Sequence, residues 1–256
     1  MCIRDRSGRP GPVLIDITKD AQFEFCEYAY KKCDGIRSYF PYPVVNNDSV
    51  DSAVTLINKA KKPFIVWGQG VILGKAEEEF KNFVEKSGIP AAWTILGLSA
   101  LPTSHELNVG MVGMHGNYGP NILTNKCDLL IAIGMRFDDR VTGDPSTYAS
   151  QAKIIHLEID PAEVDKNIKV DVPVIGNCKE SLKMITDKID KRSHKKWISK
   201  FDDLMKIEFD KVIKSDLSPK KKGLTMGESI IAINEYTNGD AIIVTDVGQH
   251  QMVACR

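Results

Sequence analysis

Between residues 63 and 190, short unbroken apolar runs alternate with segments whose apolar residues recur at helical spacing. "PFIVWGQG", "IPAAWTILG", "DLLIAIG", "KIIHLEID" and "VPVIGN" read as strands. "KAEEEFKNFVEKSG", "GNYGPNILTNKC", "PAEVDKN" and "CKESLKMITDKID" read as the helices or helical turns around them, with Gly88 closing the first. A strand apolar on every residue must be covered on both faces, and crossover helices give that cover to a parallel sheet. The expected fold is α/β: a Rossmann-like parallel sheet with helices on both faces. A helix with Asn47 or Asp48 as its cap and Val50, Ala53, Val54, Ile57 and Ala60 as its apolar face opens it. Ligands of such sheets sit beyond the carboxyl ends of the strands. "GQGV", "TILG", "GMRFDDR", "LEID" and "IGNC" all fall there.

The chain has 256 residues, 43% of them hydrophobic, and a formal net charge of zero. That suits one or two domains with a real core. It gives no bulk electrostatic reason to bind nucleic acid or an anionic membrane. No apolar run approaches the roughly 18 residues of a membrane span. The six cysteines are scattered, without a CxxC pair or a histidine at metal spacing, and read as reduced thiols of a cytoplasmic protein.

Outside the alternating region the chain divides as follows. Residues 1–6, MCIRDR, lack the apolar stretch of a signal peptide and are expected to be the artefact of a truncated gene. Residues 7–22 read as a Gly/Pro turn, a short strand and a polar exit, the end of another domain. Residues 23–47, with Tyr28, Tyr30, Tyr39, Tyr42, Gly35, Pro41 and Pro43, read as a linker packed along a surface. Residues 48–190 form the central domain. Residues 191–222 place "KRSHKKW" and "SPKKKG" around Trp197, Phe201, Leu204, Ile207 and Phe209. They read as a helical connector with solvated lysines, nucleic-acid binding being the alternative that neutral net charge disfavours. Residues 223–256 open a second α/β domain: Thr225 and Glu228 make a capping box, a helix runs to Gly239, and "AIIVTDVG" is a strand entering a loop.

The densest chemistry is in "IAIGMRFDDRVTG", residues 131–143. Two arginines bracket two adjacent carboxylates directly after an apolar strand, and a buried loop tolerates such charges only when they are paired. Arg136 offers a planar donor fork and a stacking face, suited to phosphate or a flat ring. Asp138 can accept from ribose hydroxyls, while Asp139 and Arg140 can simply pair with each other. Glu158 ends the next strand, where an acidic residue takes ribose hydroxyls in this architecture. "GMVGMHGNYGP" carries Gly110, Gly113, Gly116 and Gly119 around His115; glycines let backbone amides approach a ligand closely. Gly68 and Gly70 fit a tight βα turn as well as a cofactor contact.

The stretch "GMHGNYGPNILTNKCDLLIAIGMRFDDRVTG…AKIIHLEIDPAEVDKN" resembles the central domain of the acetolactate synthase catalytic-subunit family, within the thiamine diphosphate-dependent, pyruvate oxidase-like enzymes. "RPGPVLIDITKD" resembles the end of that family's amino-terminal pyrimidine-binding domain, and "DAIIVTDVGQHQM" the start of its diphosphate-binding domain. The resemblance runs from Ser7 over almost the whole chain. It implies thiamine diphosphate, Mg2+ and FAD as cofactors. It implies an FAD site lined by Gly70, Ile95, Leu96, Val112, Gly113, Met114, His115, Gly134, Met135, Arg136, Phe137, Asp138, Asp139, Arg140, Glu158, Ile159, Asn177 and Cys178. The family usually has an acidic residue at the position of Asn177. Val247, Gly248, Gln249 and His250 match the loop that contacts thiamine diphosphate. The implied reaction condenses two pyruvates, or pyruvate and 2-ketobutyrate, with loss of carbon dioxide, in valine, leucine and isoleucine biosynthesis. The implied partners are a second or further catalytic subunits, as a homodimer or tetramer, and a small regulatory subunit; no nucleic acid and no membrane are expected. No residue of this chain matches the family's activating glutamate or its magnesium ligands, so the chain alone is expected to be inactive. Other thiamine enzymes, of the pyruvate oxidase or glyoxylate carboligase type, lack the RFDDRVTG loop. A non-catalytic nucleotide-binding module would lack the flanking pieces.

Overall fold

The computed structural model describes residues 5–37, 39–217 and 223–255. Residues 1–4, the lysines at 220–222 and Arg256 therefore lie outside the described residues. Helix α1 is Lys19–Phe23, followed by α2 Asn47–Lys59, β1 Pro63–Trp67, α3 Gln69–Leu73, α4 Glu77–Ser87, β2 Ala91–Trp93 and β3 Asn108–Met111. Then come α5 Tyr118–Thr124, β4 Leu129–Ile133, α6 Asp139–Thr142, β5 Lys153–Glu158, β6 Val172–Ile175 and α7 Cys178–Lys188. Helix α8, Lys195–Glu208, continues through a π-helical turn at Phe209–Ile213 into α9, Lys214–Leu217; α10 is Met226–Tyr236 and α11 Gln249–Ala254.

The sheet is wholly parallel, in the order β3-β2-β1-β4-β5-β6. Strands β1, β2 and β4 are buried at every residue. Ile65, Trp67, Ile131, Ile133, Ile155 and Val174 point to one face, where α2, α4 and α7 cover them with Val50, Ile57, Phe80, Phe83, Leu182 and Ile185. Phe64, Val66, Leu130 and Ala132 point to the other, covered by Leu123 of α5 and by Trp197 and Phe201 of α8. Fully burying each such side chain is worth about 1.5–3 kcal/mol. Gly88 closes α4 in the left-handed region (φ +63), and a Cβ there would lie 2.3 Å from the Arg192 carbonyl. Thr225 and Glu228 form the expected capping box on α10.

Several elements depart from the sequence reading. Asn46, not Asn47 or Asp48, caps α2, its side chain accepting from the amides of Asp48 and Ser49. A sixth strand, β3, runs into the start of the glycine-rich stretch; Asn108 and Gly110 mask it, but Val109 and Met111 alternate inward. The expected strands in residues 7–22 and at 241–247 do not form: among the described residues no strand pairs with them, and Leu14 and Ile242 are almost fully exposed. Residues 19–23 form α1 instead. The 191–222 segment is helical as expected, but it is more than a connector. Trp197 and Phe201 belong to the core, Trp197 Nε1 donates to the Pro63 carbonyl at 2.8 Å, and Phe64 and Phe201 rings meet at 5.2 Å. Among the described residues no helix is long and apolar enough to cross a membrane.

Candidate functional site

The strand order reverses between β1 and β4, so their carboxyl ends open the crevice where ligands bind in this architecture. Backbone contact builds its floor. The Gly68 amide donates to the Ile133 carbonyl at 2.9 Å and the Gly70 amide to the Gly134 carbonyl at 3.0 Å. A Cβ on Gly68 or Gly70 would lie 2.5 Å from Gly134 backbone atoms, so both positions need glycine for packing. Gly134 adopts φ +57, which turns the chain sharply as it leaves β4.

The turn separates the side chains that follow. Met135 and Phe137 go inward and Arg136 stays outside. Phe137 has φ +51, an uncommon value for a bulky residue. Its ring is buried edge-on against His156 at 5.0 Å and Tyr148 at 6.2 Å, and its carbonyl accepts from Asn167. His156 Nε2 donates to the Met135 carbonyl at 2.7 Å. Burial holds this imidazole below the ordinary histidine range, so it is neutral. Asp138 caps α6, its Oδ1 accepting from the Arg140 amide at 3.0 Å, while its Oδ2 lies 3.5 Å from Arg136 Nε. The anticipated Asp139–Arg140 pair does not form; Asp139 is exposed, and Arg140 reaches Met114 Sδ at 3.9 Å.

Around this turn the rim is partly apolar and open. Ile95, Leu96 and Met114 are exposed at 40%, 62% and 61%, and His115 is exposed. Val112 is buried beneath them. Gly113 (φ +106) is held from both sides by Asn121, whose Oδ1 accepts from the Gly113 amide and whose Nδ2 donates to the Gly113 carbonyl, both at 2.9 Å. Asn117 accepts from the Met111 amide at 2.8 Å and donates to Glu208 of α8. Neither asparagine was singled out from sequence, although each stands within eight residues of a glycine with positive φ.

Glu158 ends β5 almost fully buried. Its Oε1 accepts from the amides of Ile159 and Asp160, and burial pushes its carboxyl above the usual range. Arg9, far away in sequence, reaches this corner by pairing with Glu163 and, at 3.5 Å, with Asp160. Asn177 caps α7 and Cys178 lies buried behind it, its thiol pushed up to about 12. Val247, Gly248, Gln249 and His250 stand at the start of α11; Val247, Gln249 and His250 are exposed.

The sheet order, the glycine-locked switch point, the exposed Arg136 guanidinium and the buried Glu158 carboxylate define a doubly wound α/β domain with its crevice at the carboxyl ends of β1 and β4. Residues 50–185 match the model of the thiamine pyrophosphate enzyme central domain, and the chain belongs to that family. Its relatives narrow this further. It is 39% identical over 256 residues to the acetolactate synthase large subunit of Corynebacterium glutamicum, covering 98% of this chain and 40% of that one. It is 37% identical to the acetolactate synthase large subunit of Lactococcus lactis (96% and 42%) and 39% identical to the chloroplastic acetolactate synthase 2 of Nicotiana tabacum (98% and 38%). The chain thus spans about two-fifths of the length of the curated relatives it matches.

Proposed function

We propose that residues 48–190 are the FAD-holding central domain of an acetolactate synthase catalytic subunit, with 7–22 and 223–256 belonging to the domains on either side. The carrying observation is the crevice at the carboxyl ends of β1 and β4. The glycine contact sets its floor, and Arg136, Met114, Leu96 and His115 stand exposed at its rim. This donor set fits a flavin dinucleotide. Arg136 offers a solvent-facing guanidinium to phosphate, the apolar rim suits a ring system, and Glu158 Oε2 keeps lone pairs for ribose hydroxyls. Buried Val112, Met135, Phe137 and Cys178 would serve through backbone and packing. Gly248, Gln249 and His250 would form one edge of the thiamine diphosphate site, whose Mg2+ ligands are not assigned in this chain.

In the whole enzyme thiamine diphosphate supplies the electron sink for joining two 2-ketoacids with loss of carbon dioxide. This chain's residues bind and orient. The substrates would be pyruvate and 2-ketobutyrate, and the setting branched-chain amino acid synthesis in the cytoplasm. The catalytic subunits would form a dimer or tetramer served by a small regulatory subunit. Titrating residues 1–256 with FAD and following flavin fluorescence tests the reading. Saturable quenching is expected, weakened in Arg136→Ala by the about 1.5–3 kcal/mol of a charged contact. Absence of binding, or unchanged affinity in that variant, would remove the flavin from this crevice.

A further inference from the structure

At the opposite end of the sheet, where β1 and β4 begin, α8 and the end of α5 border a half-open cavity of about 590 Å³. Lys61, Lys62, Lys126, Lys196 and Lys200, all exposed, line it. Leu123, Trp197 and Leu204 make its apolar wall, and Asp203 is the one acid among its lining residues. The arrangement is held in place by the fold. Asp128 accepts from the backbone amides of Lys61 and Lys62 at 2.8 and 2.9 Å, which fixes the turn into β1 and leaves one negative charge beside these two lysines. Trp197 is anchored to Pro63, and Lys196 and Lys200 stand one helical turn apart on α8. Lys200 approaches Asp203 at 3.6 Å; among the described residues the other four lysines form no ion pair.

We propose that this cavity is a second ligand site and that it takes an organic polyphosphate. Five lysines against Asp203 and the neighbouring Asp128 leave three uncompensated positive charges around an apolar wall. Like charges so gathered repel one another. A ligand with several negative charges reverses that cost. Lysine ammonium groups act as point charges that accept phosphate in many orientations, whereas no planar arginine fork lines the cavity to select a carboxylate. The volume lies in the range of small-molecule sites, about 300–1,000 Å³, and the wall of Leu123, Leu204 and Trp197 can take a base or other apolar body. The lysine-rich "KRSHKKW" stretch, a solvated connector in the sequence reading, thereby gains a task.

Metal-free ATP titrated calorimetrically into residues 1–256 at low ionic strength, with FAD present in excess, tests the proposal. One saturable site is expected, at least tenfold weaker in the Lys196→Gln/Lys200→Gln double variant, restored in Lys196→Arg/Lys200→Arg, and unchanged in Lys179→Gln on α7. Adenosine and tripolyphosphate should each bind at least fivefold more weakly than ATP. These lysines are exposed, so unaltered circular dichroism and melting of the variants will show that the fold is intact. ATP binding that appears only when FAD is left out would place the nucleotide at the other end of the sheet and overturn the proposal. Equal binding by the glutamine variants would do the same. Tripolyphosphate as tight as ATP would overturn the organic part.

Discussion

Gly70 and Gly134 touch backbone to backbone: the Gly70 amide donates to the Gly134 carbonyl at 3.0 Å, and a Cβ on either would lie within 2.6 Å of the other's Cα. The contact joins the exits of β1 and β4 and fixes the crevice between them. Gly134→Ala meets two penalties. A left-handed alanine costs about 1–2 kcal/mol, and overpacking adds about 1–3 kcal/mol. Thermal melting should fall by roughly 2–4 °C for each kcal/mol lost in a chain of this size. Gly70→Ala has only the steric penalty and should lose less. Since both substitutions break one contact, the double variant should lose less than the sum. Additive losses would mean the glycines act separately.

His156 gives the stability a pH dependence with a definite sign. Burial holds the folded imidazole below the ordinary value of 6.5, so the unfolded chain binds its proton more readily than the folded one. Stability from this residue is complete above that value and is lost as pH falls toward the folded pKa. Glu158 works in the opposite direction, because burial raises its carboxyl. The His156 part is therefore read as a difference. Denaturant midpoints of the parent chain and His156→Gln between pH 7.5 and 5 should converge as the solution is acidified. Parallel curves would show that His156 does not titrate in this way.

Asp138 has two separable tasks in the structure. It caps α6, and it sets a negative charge 3.5 Å from Arg136. Asparagine caps a helix as well as aspartate does, while alanine costs about 0.5–2 kcal/mol. Asp138→Asn should keep the melting temperature and weaken FAD binding, Asp138→Ala should lower both, and the exposed Asp139→Asn should alter neither by much. If Asn melts as low as Ala, the cap is not what Asp138 contributes.

The thiols sort by burial. Cys127 and Cys178 are buried, with their pKa values pushed up to about 12, whereas Cys26 and Cys33 are exposed. Iodoacetamide at pH 8 should label Cys26 and Cys33 within minutes and spare Cys127 and Cys178 until the chain unfolds, since the thiolate is the reactive form. Mass spectrometry of tryptic peptides reads the order directly. Early labelling of Cys178 would mean that α7 does not pack as described.

The sheet is legible because β1 and β4 are apolar along their whole length and β5 carries Ile154, Ile155 and Leu157, and nothing else accommodates such runs between helices. β3 is not, because Asn108 and Gly110 are poor strand formers. Only pairing with Ala91 and Trp93 of β2 makes them a strand. Asn46 caps α2 in place of Asn47 or Asp48 because all three are capable caps and tertiary docking chooses among them. At the site, the exposed guanidinium of Arg136 and the position of Glu158 followed from their places at strand ends. The burial of Phe137 did not: its direction depends on a positive φ that no sequence pattern announces. Arg9 was invisible for another reason, since 154 positions separate it from Glu163 and no local signal spans that distance.

Residues 1–256 by themselves should make no acetolactate. The loop that matches the thiamine diphosphate contacts shows why. Val247 is 84% exposed, Gln249 and His250 are exposed, and α11 packs mainly against α10. The small cavity beside it, lined by Ile230, Ile233, Ala241, Ile243 and their neighbours, includes neither Gln249 nor His250. Catalysis of this kind needs the reacting groups held together and shielded from water, and positioning alone supplies about 7–11 kcal/mol of such a rate. An open loop on a short helix gives no such enclosure. Pyruvate incubated with the purified chain, thiamine diphosphate, magnesium and FAD should therefore give no acetoin colour after acidification, beside an intact acetolactate synthase as the positive control. Turnover above background would show that the reacting groups are all in this chain, and the assignment of 48–190 as a cofactor-holding domain of a larger catalytic subunit would have to be abandoned.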